Sequence, residues 1–281
     1  MPVSRLTISV LLLLAAVGLA AFWGAQALRQ NSRDGGPALA QASAEDDFER
    51  RVRAYLLENP EVIVEAMEVL ERRRQAAEIE ELHTVLAARH DEIFRDPQSP
   101  VGGNPQGDVT LVEFFDYNCP YCRRVAGVMQ QAAEADPNLR LVYKEFPILG
   151  PGSHVAARAA LAAARQGRYV AYHAALMRAS GSLGESEALE IAQTVGIDVE
   201  RLRADMADPA LGEAVERNLE LAHALRITGT PSFVVGDQII RGATDLETMQ
   251  KAIAAARREA STRDVAPDAH RPAEKPGAVA P

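Results

Sequence analysis

Two cysteines, Cys119 and Cys122, enclose Pro120 and Tyr121, and the chain contains no others. Ahead of them runs Val109-Thr110-Leu111-Val112-Glu113-Phe114-Phe115, a β-branched, apolar stretch that reads as a buried strand. Behind them Val125, Val128, Met129, Ala132 and Ala133 recur at helical spacing. The thiols therefore fall where a strand ends and a helix begins. Unpaired backbone N–H groups and the positive end of the helix dipole favour a thiolate there, which makes Cys119 an exposed, low-pKa nucleophile. Cys122, one turn further in, is placed to close a small disulfide or to resolve a mixed one, and Pro120 sits where its missing N–H costs nothing. A tetrahedral zinc site needs two more ligands at suitable spacing, and c-type haem attachment needs a histidine after Cys122. Neither is present, and the six histidines show no ligand spacing, so no metal or cofactor is expected.

Three features carry a family resemblance: the strand–Cys-Pro-Tyr-Cys–helix unit; Glu113, six residues before Cys119; and Gly229-Thr230-Pro231-Ser232-Phe233-Val234-Val235-Gly236. Together they resemble the thioredoxin superfamily, and in particular the DsbA-like thiol–disulfide oxidoreductases of the bacterial periplasm. The resemblance implies an α/β, thioredoxin-like fold with a helical insertion. It implies that Glu113 is a buried proton relay serving Cys122. A buried carboxylate needs a partner, and Lys144 on the neighbouring strand is the expected one. The resemblance further implies that Thr230–Pro231 is a cis bond beside the dithiol. Thr230 would then offer its backbone to an extended substrate, with Pro120, Tyr121 and Pro231 completing the substrate-binding surface.

Around this centre the chain is expected to divide six ways. Residues 1–29 read as an export segment: Arg5 precedes an uncharged run, and Ala25-Gln26-Ala27 offers a cleavage site, although the run is also long enough to anchor in a bilayer. Residues 30–45 read as a linker. Residues 46–95 read as an extended helical segment, interrupted at Asn59-Pro60, where Asn59 is placed as N-cap and Pro60 as first helical residue. Its apolar stripe is too thin to fold alone. The stretch Glu58-Asn59-Pro60-Glu61-Val62-Ile63, with the helix before it, resembles the N-terminal segment of the copper-sensitivity suppressor (ScsC) family, which implies self-association. Residues 96–108, dense in Pro and Gly, read as a hinge, 109–260 as the catalytic domain, and 261–281 as a disordered tail.

A net charge of −9 with no long basic run argues against nucleic acid as partner. With both cysteines in one motif, the sulfur is there for chemistry. Arg123 and Arg124 are read as solvent-facing charges near Cys119, screened by water. The expected activity is isomerisation or reduction of disulfides in exported proteins, because in the family threonine before the proline is more usual among isomerases and reductases. The alternatives are a DsbA-like oxidase and a thiolate Cu(I)-binding protein. Expected partners are periplasmic proteins bearing thiols or disulfides, a membrane redox partner that recycles the dithiol, and further copies of the chain.

Overall fold

The structure, a computed structural model, describes residue 26 and residues 36–265, with side chains described from 46 to 262. Apart from residue 26, the expected export segment lies outside the described residues, as does the chain from 266 onward. The chain forms two compact units, residues 1–77 and 78–281.

In the first unit, helix α1 (Gly36–Glu58) begins well inside the expected linker. Pro37 lies in its first turn, and the alanines that follow have the highest helix propensity with no breaker among them. The chain turns at Asn59-Pro60 and resumes as α2 (Glu61–Ala88). Asn59 closes α1, its backbone N and its Nδ2 both donating to the Tyr55 carbonyl at 2.8 and 3.0 Å, while its own carbonyl accepts from the Val62 N–H at 3.3 Å where α2 begins. Phe48, Tyr55 and Met67 are left 66, 56 and 66 % exposed.

The second unit starts with the last turns of α2 and the short helix α3 (His90–Phe94). It continues through β1 (Val101–Gly103), β2 (Val109–Phe115), α4 (Pro120–Ala135) and β3 (Leu139–Glu145). Five helices form the insertion: α5 (Pro151–Ala164), α6 (Tyr169–Arg178), α7 (Glu185–Thr194), α8 (Val199–Met206) and α9 (Pro209–Ala224). Strands β4 (Ser232–Val235) and β5 (Gln238–Arg241) and helix α10 (Leu246–Val265) complete it, α10 reaching into the stretch expected to be a disordered tail. The strands form one mixed sheet in the order β1-β3-β2-β4-β5, with β2 and β3 parallel.

Side chains alternate across β2, so Leu111, Glu113 and Phe115 face α4 while Val112 and Phe114 face the other way. Both faces are covered, which is why the strand is apolar almost throughout. On the second face Leu86 and Ile93 are buried against Val112, Phe114, Val142 and Phe146. The expected hinge is thus part of the catalytic unit. Residues 101–103 pair antiparallel with β3, and the segment before them is fastened to the sheet. The Lys144 ammonium donates to the Glu92 carbonyl at 2.7 Å and to Asp96 Oδ2 at 3.0 Å, and Arg140 donates to the Phe94 carbonyl at 2.6 Å. Cations at the carbonyl end of α3 suit its dipole. Density of Pro and Gly concealed a three-residue strand; the boundary between the units falls near residue 78.

Lys144 is 1 % exposed, so its ammonium depends on Asp96. Asp96→Ala is expected to destabilise the catalytic unit by about 3 kcal/mol or more, because it leaves a buried charge unpaired. Adding Lys144→Met to that variant should recover a large part of the loss. Urea denaturation of the two variants checks this, and an additive loss in the double variant would contradict it.

Candidate active site: a dithiol at a helix N-terminus

β2 delivers the chain into a tight turn. The buried Asp116 organises it: its Oδ1 accepts from the Asn118 backbone N–H at 2.7 Å and its Oδ2 from that of Leu149 at 2.9 Å. Its carbonyl accepts from the Cys119 N–H at 3.0 Å. Cys119 then occupies the N-cap position of α4 with extended backbone angles, and Pro120 is the first helical residue. Both cysteines are free thiols. Cys122 lies one turn in and is wholly buried.

Opposite the turn stands the loop leading into β4, where Thr230–Pro231 is cis. The Cys119 thiol donates to the Thr230 carbonyl at 3.3 Å. That carbonyl, expected to be free for a substrate, is engaged by the thiol itself, and the Pro231 carbonyl accepts from the Gly242 N–H at 2.9 Å. Cys119 is correspondingly less open than expected, at 4 % exposure. What the site presents to solvent is Pro120 and Tyr121, the latter beneath the Arg124 guanidinium at 5.0 Å, with Ile148 and Leu149 exposed beside the turn.

Behind the thiols lies Glu113, 1 % exposed, with no hydrogen-bond partner for its Oε1 among the described residues. Burial raises its pKa to about 8. Burial likewise raises the Cys122 pKa, and the Glu113 charge adds to that rise. The two groups are therefore coupled: at neutral pH the carboxyl is mostly protonated and the thiol is held as a thiol.

Lys144 is not the partner of Glu113. In the parallel β2–β3 pairing Glu113 lies opposite Tyr143 and Phe114 opposite Lys144, which puts the ammonium on the other face of the sheet. A one-residue difference in register is enough to separate them. Pairing distance along the sequence cannot reveal that.

Three features escaped the sequence reading. Arg123 is half-buried and hydrogen-bonded, not solvent-facing like Arg124. Asp116, an acid directly after a buried strand, carried the signal of an Asx turn. The third is a buried polar cluster: Glu145 Oε1 accepts from Tyr169 at 2.7 Å and Tyr117 at 3.1 Å, and the Tyr117 hydroxyl also meets His173 Nδ1 at 3.1 Å. Burial raises the Glu145 pKa well above its ordinary value and lowers that of His173 to about 3, and the hydrogen bonds of the cluster tie the turn to the insertion.

The strand order, with thiols at the end of the central β2 and a proline loop facing them, is the architecture of thioredoxin-fold oxidoreductases. Residues 110–254 match the DSBA-like thioredoxin domain, and the chain belongs to that family of thiol–disulfide oxidoreductases. Residues 45–77 match the copper resistance protein ScsC N-terminal domain. Among solved structures, a thioredoxin-like oxidoreductase from Silicibacter pomeroyi DSS-3 is 52 % identical, covering 60 % of this chain and 97 % of that one, with a TM-score of 0.59. The catalytic domain of Proteus mirabilis ScsC is 28 % identical, covering 63 % and 98 %, with a TM-score of 0.58. A Na(+)/H(+) antiporter NhaA of Herminiimonas arsenicoxydans is 34 % identical over 178 residues, which is 62 % of this chain. The chain spans only about a quarter of the length of such curated relatives. No helix among the described residues is long and apolar enough to cross a membrane.

Glu113 carries a pH signature. With a folded pKa raised to about 8, its stabilising contribution is complete below its unfolded value of 4.5 and is lost as pH rises through 8. The stability of Glu113→Gln relative to wild type should therefore rise across that window by on the order of 3–5 kcal/mol, then level off. Denaturant midpoints at a series of pH values measure it; parallel curves for the two proteins would contradict the assignment.

Proposed function

We propose that the chain isomerises or reduces disulfides of exported proteins through Cys119, as an oligomer joined by its N-terminal helices. The observation that carries this reading is the pairing of a helix N-terminal thiol, Cys119, with a buried thiol, Cys122, whose pKa is raised by burial and then by the charge of the buried Glu113. In the dithiol form Cys119 thiolate attacks a substrate disulfide; a mixed disulfide forms and a substrate thiolate leaves. Two outcomes follow. A second substrate thiol attacks the substrate's sulfur, freeing Cys119 with no net transfer of electrons, which is isomerisation. Alternatively Cys122 attacks Cys119, the second substrate thiolate leaves, and the chain takes up the disulfide, which is reduction.

The buried position of Cys122 favours the first outcome. Its raised pKa keeps it a thiol, so it attacks only after Glu113 as carboxylate removes its proton, and the mixed disulfide lasts long enough to be rearranged. In the reverse direction a protonated Glu113 supplies the proton that Cys122 needs as leaving group. Reduction consumes the dithiol, so a membrane redox partner is required to return two electrons. Clients would lie as extended segments over Tyr121, Ile148 and Leu149, displacing the Cys119 thiol from the Thr230 carbonyl.

The exposed apolar residues of the arm support self-association. Phe48, Val52 and Tyr55 on α1, and Ile63, Met67 and Leu70 on α2, recur at helical spacing and remain open to solvent. The match to the ScsC N-terminal domain covers this same stretch. Export through residues 1–29 would bring the thiols into the oxidising compartment such clients occupy.

Reactivation of scrambled ribonuclease by residues 46–281 tests the proposal. Activity should vanish in Cys119→Ala and fall by about ten-fold or more in Glu113→Gln. Rapid oxidation of reduced ribonuclease by the disulfide form, without any reactivation, would make the chain an oxidase instead. Light scattering tests the arm. Residues 46–281 should give a multiple of the monomer mass, and Val52→Glu with Met67→Glu should reduce it to the monomer. A monomeric wild type would refute the oligomer.

A further inference from the structure

The geometry points to Arg123 and Asn118 as positioning residues that lock the helical insertion onto the turn carrying Cys119 and so set the balance between dithiol and disulfide. This inference rests on the thiol–disulfide exchange proposed above. Arg123 lies in the first turn of α4 and its guanidinium folds back beneath the turn. Its Nε donates to the Tyr117 carbonyl at 2.7 Å, its Nη1 to the Gly181 carbonyl at 2.6 Å, and its Nη2 to Asn118 Oδ1 at 3.3 Å. Only a planar fork reaches three acceptors in three directions; a lysine ammonium supplies the charge without that geometry.

Asn118, the residue before Cys119, uses its whole amide. Oδ1 accepts from the Leu183 N–H at 2.7 Å as well as from Arg123, while Nδ2 donates to the Leu183 carbonyl at 3.1 Å and to Ser153 Oγ at 3.2 Å. Two separate pieces of the insertion, the segment after α6 and the first turn of α5, are thereby joined to one side chain. The fit is close: a Cβ at Gly152 would collide with the Leu183 carbonyl, and Gly181 adopts a φ of 79° where its carbonyl meets the guanidinium. Tyr117, whose carbonyl Arg123 holds, is fixed at its other end through Glu145 and His173.

The lock does two things for Cys119. It holds the backbone on the nucleophile's N-terminal side, so the thiol is presented in one position when a client displaces it from Thr230. It also keeps a full positive charge, partly withdrawn from solvent, beside the turn. Other charged or titratable groups around that turn include Asp116 and Tyr117 within it, Cys122 and Glu113 beneath it, Glu145 and His173 against Tyr117, and Tyr121 and Arg124 on the outer face of α4. The turn held in this geometry, with a positive charge beside it, favours the dithiol form over the disulfide and makes the chain a stronger oxidant.

Equilibration of the full chain with reduced and oxidised glutathione reads this directly: protein disulfide and two glutathione thiols give the dithiol and one glutathione disulfide. Arg123→Met should shift that equilibrium roughly two- to five-fold toward the protein disulfide, and slow iodoacetamide alkylation of Cys119 near neutral pH. Arg123→Lys should keep most of the equilibrium while amide hydrogen exchange over residues 179–184 speeds up roughly ten-fold, as it should in Asn118→Ala. If the three variants merely lower the melting temperature, with the glutathione equilibrium and Cys119 alkylation unchanged, the lock is structural only and the inference is wrong. Unchanged exchange over 179–184 in Asn118→Ala and Arg123→Lys overturns it equally. A wild type that does not equilibrate with glutathione sinks the underlying proposal along with it.

Discussion

A carboxyl group buried without a partner is the constraint on which the site depends. Glu113 sits in the central strand, shut off from water, and no cation among the described residues pairs with it. Such a group avoids the cost of desolvating a charge by keeping its proton. Cys122 is buried as well, and its pKa is raised by that burial and by the Glu113 charge, which is the basis for the proposed exchange of a proton between them. The fold supplies the seclusion: β3 and β4 flank β2, α4 and the insertion cover one face, and the end of α2 with α3 covers the other.

The two faces of β2 and β3 keep their ionisable groups apart by alternation alone. On the α4 side burial raises the pKa of both acids, Glu113 and Glu145, and tyrosine hydroxyls donate to Glu145. On the reverse side Lys144 is charged, and it spends that charge on Asp96 and the carbonyl end of α3. The same strand thus fastens α3 to the sheet and keeps the Lys144 ammonium away from Glu113. Had Lys144 faced Glu113, the carboxylate would be favoured and Cys122 would lose its proton donor at neutral pH.

The parts of the site legible in the sequence were those written locally. A strand running into Cys-Pro-Tyr-Cys, an acid at a fixed distance within it, and Thr230-Pro231 ahead of another strand are each short motifs whose spacing has structural meaning. What stayed hidden depends on pairing and tertiary closure. Which face Lys144 occupies follows from the register of β3 against β2, not from its own neighbours in the chain. Arg123 and Arg124 are adjacent and chemically identical, yet one is folded under the turn by acceptors that come from residue 181, while the other lies over Tyr121. The stretch 96–108 has a loop's composition, and only its packing shows that a strand and the anchor of α3 are inside it.

Infrared spectroscopy of the carboxyl groups tests the central claim most directly. The spectrum of wild type minus that of Glu113→Gln, followed from about pH 5 to about pH 10, isolates the carboxyl band of Glu113 from that of Glu145. A protonated-carboxyl band present at neutral pH and lost with a midpoint near 8 is the predicted result. A difference spectrum showing carboxylate alone at neutral pH would mean that Glu113 is ionised beside Cys122, and the proton-sharing pair would not exist.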